Sequence, residues 1–262
     1  MRTTGPTAPH GKRRECYTAP IVVSLRPAND HVAMRRAVVA HGLRVLALSP
    51  WRIAVRDDPA TRDALRKALT AQIVIVTSPA AARAAAALAP LQARRGQVFY
   101  AIGTTTATTL LRMDVGDVTS PARMDSEGLL ALPALRDVRD RDIGLLTAPG
   151  GRNRIGPDLL ARGARLHRAD VYAREAVALS PASLARLRAF VGPLLLPVSS
   201  GEALIAVLAA APDDIATRLR GAGVLAASER LAALAREAGC TDVRVAAGPL
   251  PAQLLAAAFT EI

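Results

Sequence analysis

The chain has 262 residues, 51% of them hydrophobic, and its formal net charge of +12 comes almost wholly from arginine, since Lys12 and Lys67 are the only lysines. No apolar run reaches the roughly 18 residues of a membrane-spanning helix, because Arg, Asp, Gly or Pro interrupts every candidate. Aromatics make up 3% and are not interleaved with a basic cluster, which argues against a stacking platform for single-stranded nucleic acid.

Residues 1–19 lack the apolar core of a secretory signal and read as a disordered basic leader. Cys16 within it and Cys240 far downstream offer neither a disulfide framework nor metal-ligand spacing, which suits a reducing cytoplasm. From residue 21 strand and helix alternate. The pattern predicts strand 21–25, helix 28–41, strand 43–48, helix 60–70, strand 73–77, helix 79–89, strand 98–102 and helix 104–112. It continues through strand 143–147, helix 155–162, strand 165–171, helix 181–190, strand 194–198, helix 201–210, strand 223–227, helix 228–238 and helix 251–259. Strands such as Ile73-Val74-Ile75-Val76 are continuous apolar runs, so the sheets should be parallel and covered on both faces. Pro197 is out of place inside such a strand.

Landmarks recur about 120 residues apart, the mark of an internal repeat. Gly42 is matched by Gly163, each just past a helix end where a left-handed residue is wanted, as is Gly239. The strand ending in Thr77-Ser78 is answered by the one ending in Ser199-Ser200, and Ser126-Glu127-Gly128-Leu129-Leu130 by Pro251-Ala252-Gln253-Leu254-Leu255. Leu43 to Val55 and Arg165 to Val177 are equivalent in the repeat and too long for ordinary sheet strands, so they read as connections between two lobes. The expected architecture is two similar parallel-sheet α/β lobes joined by strands 49–56 and 167–176. One lobe is discontinuous (20–48 plus 177–262) and the other continuous (57–166), with a ligand cleft between them.

Parallel α/β sheets bind ligands at the carboxyl ends of their strands, where helix N-termini present unpaired N–H groups. Thr77-Ser78, Gly103-Thr104-Thr105, Ser199-Ser200-Gly201 and Ser228 all fall at such junctions. Each alone is an ordinary helix cap; repeated in two lobes they make a donor set for carboxylates or phosphates. The loop Pro149-Gly150-Gly151-Arg152-Asn153-Arg154 is the strongest candidate for direct anion contact, and it lacks the glycine and lysine patterns of nucleotide sites. The histidines, His10, His31, His41 and His167, show no zinc spacing and read mostly as surface residues. No nucleophile elbow or suitably placed cysteine is present, so an enzyme with this sequence works by positioning and electrostatics. These features equally fit a two-lobed small-anion-binding or regulatory protein without catalysis.

The segments Leu25-Arg26-Pro27, Tyr100-Ala101-Ile102-Gly103-Thr104-Thr105-Thr106-Ala107, Ser126 to Leu130, Gly150-Gly151-Arg152, Leu159 to Ala164, Val171-Tyr172-Ala173-Arg174, Val198 to Leu204 and Ala227 to Ala235 resemble, in order and spacing, the uroporphyrinogen-III synthase family. The resemblance runs from about residue 20 to the end. It implies two α/β lobes joined by a two-stranded ladder, no cofactor and no metal. It also implies a cyclising hydro-lyase that closes hydroxymethylbilane, a linear tetrapyrrole with eight carboxylates, to uroporphyrinogen III with loss of water and inversion of the last ring. Carried over residue by residue, Tyr172 becomes the catalytic group, its phenol assisting departure of the hydroxyl; read alone, it packs a strand surface. Arg26, Thr77, Ser78, Gly103, Thr104, Ser126, Arg152, Ser199, Ser200, Gly201 and Ser228 become substrate-binding. Family members often carry Arg ahead of the glycines where this chain has Thr147-Ala148-Pro149. The expectation is a cytoplasmic monomer with no membrane or nucleic-acid partner.

Overall fold

The computed structural model describes residues 19–150 and 153–259. Arg152 and, apart from Ala19, the expected leader lie outside the described residues. The chain opens with β1 (Ile21–Ser24), α1 (Val32–Ala40) and β2 (Arg44–Ala47). The helix expected from residue 28 starts only at Val32, because Asn29 is left-handed (φ 67°) and Arg26 closes the turn by pairing with Asp30 at 2.7 Å. Next come β3 (Trp51–Val55), α2 (Pro59–Thr70), β4 (Ile73–Val76), α3 (Pro79–Leu88), β5 (Val98–Ala101), α4 (Thr104–Leu111) and β6 (Val118–Thr119). These lead to α5 (Ser126–Leu130), a 3-10 turn at Pro133–Leu135, β7 (Asp142–Thr147), α6 (Ile155–Ala161), β8 (Arg165–Asp170) and β9 (Tyr172–Ala176). The last stretch holds α7 (Pro181–Ala189), β10 (Leu194–Val198), α8 (Gly201–Ala210), α9 (Asp213–Arg220), β11 (Gly223–Ala226), α10 (Glu229–Glu237), β12 (Asp242–Val245) and α11 (Pro251–Ala256).

The chain divides into two units, one running to Pro50 and resuming at Val177, the other spanning Trp51–Ala176. Each contains a five-stranded sheet, ordered β12-β11-β10-β1-β2 in the first and β6-β5-β4-β7-β8 in the second, and all neighbours within them are parallel. Strand for strand these are the same sheet, with β10 standing where β4 stands and β1 where β7 stands. The repeat is therefore structural, and Gly42, Gly163 and Gly239 end their helices with φ of 67°, 83° and 89°. A third sheet is the antiparallel ladder β3–β9, in register from Trp51 opposite Ala176 to Val55 opposite Tyr172.

The long segments read as single connections are each two strands. Residues 43–55 hold β2 and then β3 beyond Pro50, and residues 165–177 hold β8 and then β9 beyond Val171. β2 and β8 are edge strands with half-exposed side chains, so they lack the continuous apolar run that marks an inner strand. Pro197 is tolerated in the central β10 for a geometric reason. Val198 accepts the Ala227 N–H on the β11 side, so Pro197 turns its missing N–H toward β1, and the β1–β10 ladder has already ended at Val22 opposite Leu195.

In the second unit β4 is buried on both faces. Val74 and Val76 pack with Leu65, Ala81, Ala85 and Leu110 of α2, α3 and α4, while Ile73 and Ile75 meet Leu129, Leu135 and Leu159 on the other side. The crossover from β4 thus lies on one face and that from β7 on the other. β4 and β7 are neighbours in the sheet, so a topological switch point opens between their carboxyl ends, the place where such sheets bind ligands.

In the first unit, His31 is a correction to the surface assignment. It is 6% exposed, with Nδ1 2.9 Å from Ser24 Oγ and Nε2 2.9 Å from Ser49 Oγ, bridging the ends of β1 and β2. Burial, aided by Arg35 and Arg26, lowers its pKa below the ordinary 6.5. A histidine held neutral by folding contributes stability that is full above its unfolded pKa and is lost as pH falls toward its depressed folded value. The melting temperature should therefore fall between pH 7.5 and 5.5, and less steeply in His31→Gln. The hydrogen-bonded carboxylates Asp58, Asp142 and Asp214, also depressed, lose their contribution only in the more acidic carboxylate range. Equal slopes in parent and variant would show that His31 does not govern this window.

Candidate active site

The switch point of the second unit is built from short polar segments that follow its inner strands. Beyond β4, the Thr77 N–H donates to Leu146 O at 3.1 Å, and its hydroxyl donates across the crevice to Thr147 Oγ1 at 2.9 Å. Ser78 is extended (φ −164°) and caps α3, its Oγ accepting the Ala81 N–H at 3.0 Å. The same Oγ lies 3.2 Å from the phenol oxygen of Tyr172, which opens β9 and is 4% exposed. These groups border a cavity of about 210 Å³ closed on its apolar side by Ile102, Leu145 and Ile155.

Charge enters from β8, β9 and the loop after β7. Arg168 holds that loop with Nη1 to Asn153 Oδ1 (2.6 Å) and Nη2 to Ala148 O (3.3 Å), while its Nε donates to Asp170 Oδ1 (3.0 Å). The support falls where the backbone is least relaxed, since Arg168 Nη1 holds Asn153, a non-glycine residue in the left-handed region (φ 39°). Arg154 pairs with Glu127 at 3.2 Å and Asp158 at 3.3 Å, and Arg174 lies over the Trp51 ring at 5.3 Å. The cavity wall thus carries five hydroxyls (Thr77, Ser78, Ser126, Thr147, Tyr172) and three guanidinium groups (Arg154, Arg168, Arg174), with no carboxylate, histidine or cysteine among its lining residues. Such a surface presents the donors that suit an anion and offers a phenol as its one acidic side chain besides the arginines. Among the described residues no group of three or more His, Cys, Asp or Glu could hold a metal ion.

Of the residues singled out in the sequence, Thr77, Ser78, Ser126 and Tyr172 line this one cavity, as do Pro149, Gly150, Asn153 and Arg154 of the loop expected to contact an anion. Gly103 and Thr104 sit at the adjoining β5–α4 junction but outside the lining, where Gly103 packs on Met124 and the Thr104 hydroxyl donates to Met124 Sδ at 3.3 Å. Arg26, Ser199, Ser200, Gly201 and Ser228 belong to the first unit. There Ser200 and Ser228 cap α8 and α10, accepting from Ala203 N (3.3 Å) and Leu231 N (3.4 Å). Ser199 is exposed, Arg26 is paired with Asp30, and Gly201 is small because a Cβ would lie 2.9 Å from Leu234. Sequence reasoning missed Arg168 and Arg174. For Arg174 a signal existed, since residues two apart on a strand share a face and Tyr172 opens that strand.

Trp51 is the only tryptophan, so Arg174 ties the cavity to a spectroscopic reporter. A polycarboxylate that draws the guanidinium off the indole should change Trp51 emission saturably, and Arg174→Met should abolish the change. An identical titration curve in the variant would sever this link.

The family model described as uroporphyrinogen-III synthase HemD matches residues 32–256. The uroporphyrinogen-III synthase of Salmonella typhimurium strain LT2 is 33% identical over 215 residues, covering 78% of this chain and 87% of that protein. That of Escherichia coli K12 is 35% identical over 150 residues, 56% of this chain and 61% of that protein. The fold is similar to the solved uroporphyrinogen-III synthetase of Helicobacter pylori 26695 (TM-score 0.59, 16% identity, 92% of this chain and 98% of that one). It is similar as well to a mutant uroporphyrinogen III synthase from the extremely thermophilic bacterium Thermus thermophilus (TM-score 0.57, 17% identity, 91% and 96%). With its strand order, its switch-point cavity and a family match over most of its length, this chain belongs to the uroporphyrinogen-III synthase family.

Proposed function

We propose that the chain cyclises hydroxymethylbilane to uroporphyrinogen III, with loss of water and inversion of the last pyrrole ring. The observation that carries this reading is the Tyr172 phenol at the wall of a cavity that holds three arginines and no carboxylate. A cavity of about 210 Å³ suits one pyrrole ring with its carboxylate arms rather than a whole tetrapyrrole. The arginines and hydroxyls fix those arms, which places the hydroxymethyl carbon against the phenol. Tyr172 then donates to the departing hydroxyl, the C–O bond breaks, and the pyrrole nitrogen carries the resulting cation until the far ring attacks. Arg174 supplies from β9 the positive charge that the Thr147-Ala148-Pro149 stretch does not, while Arg168 holds the loop beside it.

Binding sites of this kind share the work among many donors. The Thr77 hydroxyl gives its proton to Thr147, so Thr77→Ala acts on the substrate only by releasing the Thr147 hydroxyl, a neutral hydrogen bond worth about 0.5–1.5 kcal/mol, and weakens binding without abolishing turnover. No helix of the described residues is long and apolar enough to cross a membrane. The test is to supply freshly generated hydroxymethylbilane and resolve isomers I and III of the product after oxidation. Isomer III in excess over the uncatalysed isomer I supports the proposal. Tight binding of a tetrapyrrole with isomer I alone would support an anion-binding protein without catalysis.

A further inference from the structure

We propose that Ser78 is a positioning residue for this reaction: its hydroxyl directs the Tyr172 phenol so that the phenolic proton faces the departing oxygen. The inference rests on the function proposed above, but the contact behind it is visible in the fold. Ser78 caps the ten-residue helix α3, and its Oγ is fixed by the Ala81 N–H at 3.0 Å. With one lone pair so engaged, the hydroxyl still has a proton to give, and Tyr172 Oη lies 3.2 Å away. Thr77, next in line, is committed to Thr147 at 2.9 Å, and no histidine lines the cavity.

Two proton arrangements satisfy the Ser78–Tyr172 pair. Either the phenol donates to the serine or the serine donates to the phenol, and the first leaves nothing for the substrate. The second is favoured at the N-terminus of α3, where the Ala81 N–H and the positive end of the helix polarise the serine O–H outward. A chain then runs from Ala81 N–H to Ser78 O–H to Tyr172 O–H to the leaving oxygen. As the C–O bond breaks, the oxygen keeps the bonding electrons, takes the phenolic proton and departs as water. The phenolate left behind retains the Ser78 hydrogen bond. It regains its proton when the attacked pyrrole carbon sheds one after the new C–C bond has formed, so the net loss is one water.

The test compares kcat and KM for Ser78→Ala, Ser78→Thr, Tyr172→Phe and the Ser78→Ala/Tyr172→Phe double variant. Ser180→Ala serves as control, because it strips a serine cap from α7 and Ser180 is not among the residues that line the cavity. Loss of one hydrogen bond to a developing charge predicts a kcat roughly tenfold lower for Ser78→Ala, with KM nearly unchanged. Ser78→Thr restores it and Ser180→Ala leaves it at the parental value. In the Tyr172→Phe background Ser78→Ala costs nothing further, since a residue acting through another has no effect once that other is gone. Additive losses, or a raised KM with kcat intact, would make Ser78 a substrate contact and overturn the proposal. Independently of turnover, the ¹³Cζ resonance of Tyr172, assigned by its disappearance in Tyr172→Phe, should shift in Ser78→Ala and not in Ser180→Ala. An unmoved resonance overturns the pairing, whereas a parent inactive on hydroxymethylbilane overturns the proposed function and leaves the resonance to judge the contact.

Discussion

Tyr172→Phe is expected to lower turnover about a hundredfold while leaving KM and thermal stability close to those of the parent. The substitution keeps the ring that packs beside α3 and removes only the donor, so what is lost is the proton delivered to the departing hydroxyl. General-acid assistance contributes about 10²–10⁴ in rate. The lower end applies here because an electron-rich pyrrole already expels hydroxide readily, and the larger task is to hold the chain so that ring inversion outruns simple closure. The product should remain isomer III, with isomer I growing as uncatalysed closure competes. A Phe variant running at parental speed would reduce Tyr172 to a packing residue and leave catalysis to positioning alone.

Gly144→Ala should destabilise the second unit strongly for a change of a single methyl group. Gly144 lies in β7 between β4 and β8, and a Cβ there would stand 2.1 Å from the carbonyl oxygen of Ala68 on α2 and 2.8 Å from its carbon. The Cβ is fixed by the backbone of β7 and the atoms that it meets are backbone, so relief requires α2 to lift off the sheet and uncover Leu65 and Ala68, each almost fully buried. Overpacking typically costs about 1–3 kcal/mol, and a clash without a flexible partner belongs at the upper end. For a chain of this size about 3 kcal/mol lowers the melting temperature by roughly 6–12 °C. Calorimetry on the purified variant checks this, and a shift below roughly 2 °C would mean that the helix yields more cheaply than its packing implies.

The inner strands were fully legible in the sequence, and of the outer ones β2 and β8 were found within longer segments while β6 and β12 were not. β4 and β10 are apolar throughout because both faces are covered, so Ile73 to Val76 and Leu194 to Val198 announce themselves. β6, two residues long, and β12, whose Asp242-Val243-Arg244-Val245 is exposed at both ends, lie at sheet edges, and their sequences carry no such run. α9 was overlooked although its signals were present: Asp213 and Asp214 in the first turn, Arg218 and Arg220 in the last, and Gly221 after it. At the site, Thr77, Ser78, Ser126 and Tyr172 could be named, since strand-to-helix junctions and a resemblance both pointed to them. Arg168 could not, because its role is to hold a loop 15 residues upstream, a relation that only the β7–β8 pairing creates. His31 was hidden for a similar reason, as the serines that bury it come from the ends of two different strands.

The interrupted order of the first sheet sets a timetable for synthesis. Trp51 to Ala176 is one uninterrupted stretch whose two ends pair with each other in the β3–β9 ladder, so it can complete its sheet as soon as it leaves the ribosome. β1 cannot: it pairs on one side with nearby β2, but its other neighbour is β10, with Ile21 waiting for Leu194. At about 5–20 residues per second that wait lasts roughly 9 to 35 s, during which the apolar Ile21-Val22-Val23 edge has no partner on that side. The nascent chain is therefore most exposed to misassociation at its beginning. A fragment ending before residue 194 should aggregate through β1, whereas the excised 51–176 stretch should stay soluble.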